Sequence, residues 1–254
     1  MGIKIDSELS NNIYNDGLKD SITETSKVVS LVPRAINAAL SGLRIWILKR
    51  EFNVKETEKL LEEKLANVSE EKIIPPDPYV AVPAFQAISY SMDSEELRNM
   101  YTNLLSKAMN EDTKKDVHPA FTEIIKQMSP IDAQILKKVF NSNSIPLIDV
   151  IDKHIENGSY IVLISNLTNI FDYDDNVTVS VSLNNLIRLG LAEIPAGEFF
   201  PNEIIYDTIT SHLAFIEFKK KHKSPQNYKI DISKKLLSIT ALGLKFCEIC
   251  IKDL

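Results

Sequence analysis

Two cysteines stand three positions apart near the end of the chain, in the run Cys247-Glu248-Ile249-Cys250. On a helix, this spacing places both thiols on one side, where they could share a metal ion or form a redox pair. A zinc site needs about four ligands, and neither a second cysteine pair nor a histidine motif accompanies these two. Phe246 and Ile249 are their neighbours, so the sequence favours small apolar core residues.

The short motifs of common catalytic sites are missing from the sequence. It contains no phosphate-binding loop, no GxGxxG, no HExxH and no GxSxG. None of its five arginines has a histidine four to seven positions downstream, which is the arrangement found in small helical ribonucleases. We therefore predict no catalytic residues, no metal, no cofactor and no small-molecule substrate.

The histidines offer little further chemistry. His118 stands directly before Pro119, and the expectation is a local capping residue rather than an acid–base group. His154, His212 and His222 lie in polar surroundings that indicate no particular reaction.

The densest positive charge is a group of lysines in the last quarter of the chain, namely Lys219, Lys220, Lys221, Lys223 and Lys229. Together with Arg188, the lysines at 219–223 are the candidate nucleic-acid contacts. The whole chain has a net charge of -6 and few arginines, which disfavours sequence-specific DNA recognition. A solvated helix end or a protein contact is the alternative interpretation of these lysines.

Residues 28–48 form the most apolar run, with helical spacing of the apolar positions. Val32, Ile36, Leu43 and Trp46 are the candidate residues for a membrane or oligomer surface. A helix packed in the core is the alternative.

The two lone cysteines and the absence of a signal peptide at the N-terminus favour a cytoplasmic location.

The N-terminal half shows helical periodicity throughout. We predict a loosely ordered tail at 1–17, a helical domain at 18–128 and a winged-helix-like α+β domain at 129–254. The expected features of the helical domain are an amphipathic helix near 21–49, a helix burying Leu61 and Leu65, an extended proline-rich connection at 73–83, a short helix from Pro83, a helix capped by Asp93 that buries Leu97, Tyr101, Leu104, Leu105 and Ala108, and a helix opening at Pro119.

The pattern changes to a mixture of helices and strands after about residue 142. The expected elements are a helix opening at Ser129, a short strand or turn at 145–151, a helix at 160–171, a helix at 182–189 ended by Gly190, a strand at 191–194, a helix at 206–222, a strand from Tyr228 and a final helix capped by Thr240. This order resembles a winged helix-turn-helix, in which 182–189 is the third helix. The predicted fold class is thus mainly α, an N-terminal helical bundle followed by a small α+β part.

The run SEELRNMYTNLLSKAMNEDTKKDVHPAFTEIIKQMSPIDAQIL and the preceding IIPPDPYVAVPAFQAISY resemble the Abi-alpha (abortive infection alpha) family. NNLIRLGLAEI and SITALGLKF are similar to its C-terminal part. The resemblance extends over about residues 25–250. The resemblance supplies no catalytic residues to carry over to the chain.

What the resemblance implies is phage defence, in which an infected cell stops growing or dies before phage mature. The leading hypothesis is a non-enzymatic protein that binds or senses a phage or host component through protein contacts, as an oligomer. A nucleic-acid-binding regulator and a membrane-active effector acting through 28–48 are the alternatives. A nuclease that assembles its carboxylates from distant helices also stays open.

Overall fold

The computed structural model describes residues 54–88, 94–169 and 176–254. Within these ranges the fold is α+β with helices predominating, and the strands form one antiparallel sheet. The elements in chain order are α1 (Val54–Leu65), α2 (Pro78–Ile88), α3 (Glu95–Ala108), α4 (Ala120–Lys126), α5 (Pro130–Ser142), β1 (Ser144–His154), β2 (Tyr160–Leu167), α6 (Asn176–Arg188), β3 (Ala192–Glu193), α7 (Ile204–Thr210), α8 (Leu213–Lys221), β4 (Tyr228–Ile239) and α9 (Ala241–Cys250).

Helix α3 lies among the other helices and contacts α1, α2, α4, α5 and α9. Its side chains Tyr101, Leu104 and Leu105 are fully buried, as the predicted apolar stripe requires. The helix is capped by Ser94, whose Oγ accepts a hydrogen bond from the Leu97 backbone N–H at 3.3 Å. The prediction of Asp93 as the cap was therefore wrong by one residue, because the Ser94 hydroxyl reaches the open N–H three positions on.

The proline-rich segment 73–83 is extended only in its first part. Helix α2 begins at Pro78 and continues through Pro83, so the predictions of an extended 73–83 and of a helix opening at Pro83 were wrong. A proline in the first helical turn removes no hydrogen bond that the helix would make. Pro83 does remove one, and the burial of apolar side chains such as Phe85 offsets that loss.

The sheet has the strand order β2-β1-β4-β3. Strands β1 and β4 pair without interruption, from Ser144 opposite Ser238 to His154 opposite Tyr228. β2 pairs with β1 on one side, and β3 pairs with the end of β4 on the other. The sheet is thus built around a long β1–β4 pair, with β2 at one edge.

Strand β2 corrects the prediction of a helix at 160–171. Residues 160–167 are a strand whose partner is β1. The apolar spacing of Leu163 and Leu167 fits a helix, but the run is dense in β-branched side chains such as Ile161 and Val162, which favour strands. Pairing with β1 decides the outcome, and that contact is not visible in a local pattern.

The two faces of the sheet are covered by different helices. On the face that we call the bundle face, strand residues join the core of the helical part: Ile145, Leu147 and Leu237. On the opposite face, which we call the α7–α8 face, a smaller core forms between the sheet and the two short helices: Ile148, Val150, Tyr206, Ile209 and Phe215. The α7–α8 pair therefore lies across the sheet from the helical part.

Several local signals in the sequence work as predicted. Ser129 caps α5 in a capping box completed by Asp132, Gly190 follows α6 with φ of 73°, and Thr240 caps α9. The helix predicted at 206–222 is divided into α7 and α8. Along the ranges that the structure describes, no helix has both the length and the hydrophobicity to cross a bilayer.

Candidate functional site

On the α7–α8 face, two polar side chains, those of His222 and Ser224, meet the buried carboxylate of Asp152. Asp152 of β1 is only 2% exposed. His222, just after α8, places its Nε2 2.8 Å from Asp152 Oδ2, and Ser224 donates its hydroxyl to Asp152 Oδ1 at 2.5 Å. We call this cluster of Asp152, His222 and Ser224 the clasp, because it joins the segment after α8 to β1.

The electrostatics of the clasp favour a charged carboxylate. Burial raises the pKa of Asp152, but the hydrogen bonds from Ser224 and His222 outweigh burial, and the pKa is lower than that of an ordinary aspartate. The His222 ring also stacks on Phe218 of α8, with centroids 5.3 Å apart and planes 14° apart. The imidazole is therefore held on two sides.

The geometry of the clasp differs from that of a nucleophilic triad. A serine nucleophile needs its hydroxyl proton accepted by the imidazole, whereas Ser224 donates that proton to the carboxylate. The arrangement instead fixes the C-terminal end of α8 against the sheet. Sequence reasoning missed it because Asp152 and His222 are 70 positions apart, and no local motif joins them.

The clasp anchors the lysines that the sequence analysis selected. Lys219, Lys220, Lys221 and Lys223 are all exposed; we call them the α8 lysines. Lys221 Nζ lies 3.4 Å from Glu217 Oε2. The side chains of Lys219 and Lys220 line a shallow depression with Thr210, Phe215 and Ile216.

Arg188 belongs to a different part of the molecule. Helix α6 contributes to the core on the bundle face, across the sheet from α8. The Arg188 guanidinium donates to Asn185 Oδ1 at 2.8 Å and to Gln127 Oε1 at 3.0 Å. The structure therefore brings the α8 lysines together and does not bring Arg188 to them.

Lys229 is also separated from the α8 lysines. It stands on β4 opposite Lys153 of β1. Leu237 of the same strand lies on the bundle face, and Lys229 is an even number of positions away, so the alternation of side chains along a strand places it on that face too. The remaining candidates, Val32, Ile36, Leu43 and Trp46, lie outside the described residues, as does the rest of 28–48.

Both cysteines are buried in α9, at 0% exposure. Burial raises the pKa of each thiol, as expected for core residues. His118 Nδ1 accepts a hydrogen bond from the Ala120 backbone N–H at 3.1 Å, which agrees with the predicted local capping role. Across residues 54–88, 94–169 and 176–254, no group of three or more potential metal ligands is found.

A buried lysine on α3 is a second feature that the sequence did not indicate. Lys107 is 4% exposed, and its ammonium donates to the carbonyl oxygens of Glu248, at 2.5 Å, and of Lys252. Asn103 donates to the carbonyl oxygen of Cys250 at 3.2 Å. These donors satisfy carbonyls that the end of α9 leaves open, so the role of Lys107 is structural.

The remaining candidate surface is the edge of the sheet formed by β2. Strand β2 lies at the end of the strand order and pairs with β1 alone among the described strands. Tyr160, Ile161 and Val162 are consecutive and exposed by 59%, 51% and 43%. Since neighbouring side chains point to opposite faces, the end of the β1–β2 hairpin is open on both faces.

These features define an α+β protein with a curled antiparallel sheet and helices on both faces, in which β2 is an edge strand among the described strands. The model of the abortive infection alpha family matches residues 49–250, and the chain belongs to this family.

Other comparisons add little. No curated protein matches the chain. A solved structure of an uncharacterized protein from the hydrocarbon-degrading marine bacterium Alcanivorax borkumensis SK2 is 18% identical and covers 53% of this chain and 96% of its own, with a TM-score of 0.33.

Proposed function

We propose that the protein acts in abortive infection by binding a phage or host protein at the outer edge of β2. Membership of the abortive infection alpha family supports the defence role. The observation that supports recognition of a partner protein is the exposed, uncharged end of strand β2.

An exposed sheet edge presents backbone N–H and C=O groups that can pair with a further strand. Proteins that avoid such pairing place charged residues, prolines or β-bulges on the edge, or cover it with a helix or loop. The β2 sequence, YIVLISNL, has neither a charged residue nor a proline. Its pairing with β1 is irregular opposite Ile148 to Ile151 but regular from Tyr160 to Val162, so an extended segment of a partner can add to the sheet beside that end of β2.

The side chains at the end of the hairpin complement this backbone pairing. Tyr160 and Val162 lie on one face, with Ile161 on the other, and all are exposed. A partner strand would gain main-chain hydrogen bonds from the edge and apolar contacts on both faces. Main-chain pairing supplies affinity in this mode, and the side-chain contacts supply specificity.

For the C-terminal part we propose a winged-helix-like topology made of α5, β1, α6, β3 and β4. The order of these elements, and the pairing of β4 with both β1 and β3, support this topology. In this view β2 and the α7–α8 pair are additions to the basic topology. The proposed contact with a partner uses β2.

The proposal is tested by phage challenge of cells producing Ile161→Lys, with Leu242→Lys as the matched control. Leu242 is exposed by 44% on α9, which packs on α3 and α5, so both variants add one lysine at an exposed apolar position. We expect the Ile161 variant to lose protection and the Leu242 variant to keep it, at equal protein abundance. Full protection by the Ile161 variant would remove the β2 edge from the account.

The mass of the purified protein in solution, measured by light scattering, identifies the occupant of the edge. A monomer for both the wild-type protein and Ile161→Lys leaves the edge available for a foreign protein. A dimer that Ile161→Lys dissociates would assign the edge to a second copy of the chain and overturn the foreign partner.

A further inference from the structure

Helix α8 has an exposed face whose character changes from apolar to basic along its length. Leu213 and Ile216 are exposed by 66% and 37%, and Lys220 is exposed as well. Their spacing of three and four residues places the three side chains on one side of the helix. Lys223, three positions after Lys220, is also exposed and stands just beyond the helix.

The charge of this segment is opposite to that of the whole chain. Residues 213–223 contain four lysines and one glutamate, within a chain of net charge -6. The glutamate, Glu217, is beside Lys221. Among the described residues, no ion pair involves Lys219, Lys220 or Lys223. These three cations are therefore available to an anionic partner.

The inner side of α8 holds this face in place. Phe215 is 8% exposed and packs in the core of the α7–α8 face, with Phe218 beside it. The clasp then ties His222 and Ser224 to Asp152, on either side of Lys223. The exposed apolar and basic side chains are thus presented by a fixed helix.

We propose that this face docks on a lipid bilayer that carries anionic headgroups. In such a complex Leu213 and Ile216 enter the boundary between headgroups and acyl chains, and Lys219, Lys220 and Lys223 lie at the level of the lipid phosphates. The helix lies on the bilayer and does not cross it. This surface uses different residues from the β2 edge, although the two adjoin at the clasp, where Asp152 pairs with Ile161 of β2. The inference does not rest on the proposed function.

The composition of the face favours a bilayer over a nucleic acid. Proteins that hold single strands stack bases on aromatic side chains, and both aromatic residues of α8 are on the inner side of the helix. Its exposed apolar residues are aliphatic, and they gain most by leaving water for hydrocarbon. All its cations are lysines, whereas arginine is the usual reader of bases and of phosphate pairs.

The test is co-sedimentation of the full-length protein with vesicles of phosphatidylcholine alone or with about 30% phosphatidylglycerol. We expect sedimentation with the anionic vesicles and little with the neutral ones. Replacing Lys219, Lys220 and Lys223 with alanine should lower the partition coefficient about 100-fold, since each lysine near an anionic surface contributes about fivefold. Raising the salt to about 0.5 M should weaken binding of the wild-type protein in the same direction.

Two further variants separate the contribution of the α8 lysines from those of the aliphatic contact and of the net charge. Ile216→Ser leaves every lysine in place and should lower the partition coefficient about tenfold, because the aliphatic contact is lost. Alanine at Lys115, Lys126 and Lys137, three exposed lysines elsewhere, makes the same change in net charge and should leave binding near the wild-type level. Circular dichroism checks that each variant is folded.

Three results would overturn the inference. The first is no difference between neutral and anionic vesicles, and the second is vesicle binding that the triple variant of α8 retains. The third is binding of duplex DNA or of single-stranded RNA that depends on the α8 lysines but not on Ile216, in the absence of vesicle binding. That last result would assign the surface to nucleic-acid phosphates.

Discussion

Gly243 in α9 lies so close to the backbone of Leu191 that an added Cβ would be 2.0 Å from the Leu191 carbonyl oxygen. That carbonyl also accepts a hydrogen bond from the Thr240 backbone N–H at 3.1 Å. The first turn of α9 is therefore seated directly on the chain that follows α6, and only glycine leaves room for this approach.

Gly243→Ala should lower the free energy of unfolding by about 3 kcal/mol or more, since backbone rather than a mobile side chain must move. Gly158→Ala is the comparison. Its φ of 72° strains an alanine, but an added Cβ would meet nothing within 4 Å, so we expect a loss of about 1–2 kcal/mol. Urea denaturation measures both, and equal losses would contradict the close packing at Gly243.

The hydrogen bonds of Lys107 predict a second stability effect. Lys107→Met keeps the length of the side chain but removes the donor to the carbonyl oxygens of Glu248 and Lys252. We expect a loss of about 2–3 kcal/mol, because a charged hydrogen-bond donor is removed and buried carbonyls lose their partner. Lys115→Met, at an exposed position, should change stability by less than about 0.5 kcal/mol. A Lys107 variant as stable as this control would exclude the capping role.

Asp152→Asn tests the clasp. We expect a loss of about 1–3 kcal/mol at neutral pH, because hydrogen bonds to a buried charged group become weaker or mismatched. Asp112→Asn is the control, since its exposed pair with Lys72 contributes little.

The effect of Asp152 should also depend on pH. Its pKa is lowered in the folded protein, so the charged form stabilises the fold above the ordinary aspartate pKa of about 3.9. This contribution disappears as the pH falls through the lower, folded pKa. The difference in stability between the wild-type protein and Asp152→Asn should therefore shrink below about pH 4. A difference that grows on acidification would contradict the stated pKa direction.

The cysteines should be unreactive in the folded protein. Both are fully buried with raised pKa values, and the thiolate is the reactive form. Labelling with a chromogenic disulfide reagent should be slow for the native protein and complete, with both thiols modified, in denaturant. Rapid native labelling of Cys247 or Cys250 would argue for an accessible redox pair instead of core residues.

The sequence predicted features whose signal is local. The caps Ser129 and Thr240 and the terminator Gly190 were found because each acts within three or four residues of itself. The buried stripe of α3 followed from helical spacing, and the cysteines were recognised as core residues from their apolar neighbours.

Features that depend on distant contacts were missed. β2 was predicted to be helical because its pairing with β1 cannot be inferred from the spacing of its own residues. The continuation of α2 through Pro83 was also missed, because it depends on burial of the apolar side chains of that helix. The clasp joins residues from β1 and from beyond α8 that share no motif, so its carboxylate appeared as one aspartate among many. The grouping of Lys219, Lys220, Lys221 and Lys223 follows from their closeness in the sequence. Lys229 lies on the other face of the sheet, which only the register of the strands reveals.

The central claim is a role in abortive infection, and phage challenge at low and high multiplicity tests it most directly. Cells carrying the intact gene are compared with cells carrying an empty vector, and phage yield and survival of the culture are both measured. The account predicts that phage yield falls, that the culture survives at low multiplicity, and that heavily infected cells still stop growing or die. Unchanged phage yield across a varied panel of phages would contradict it.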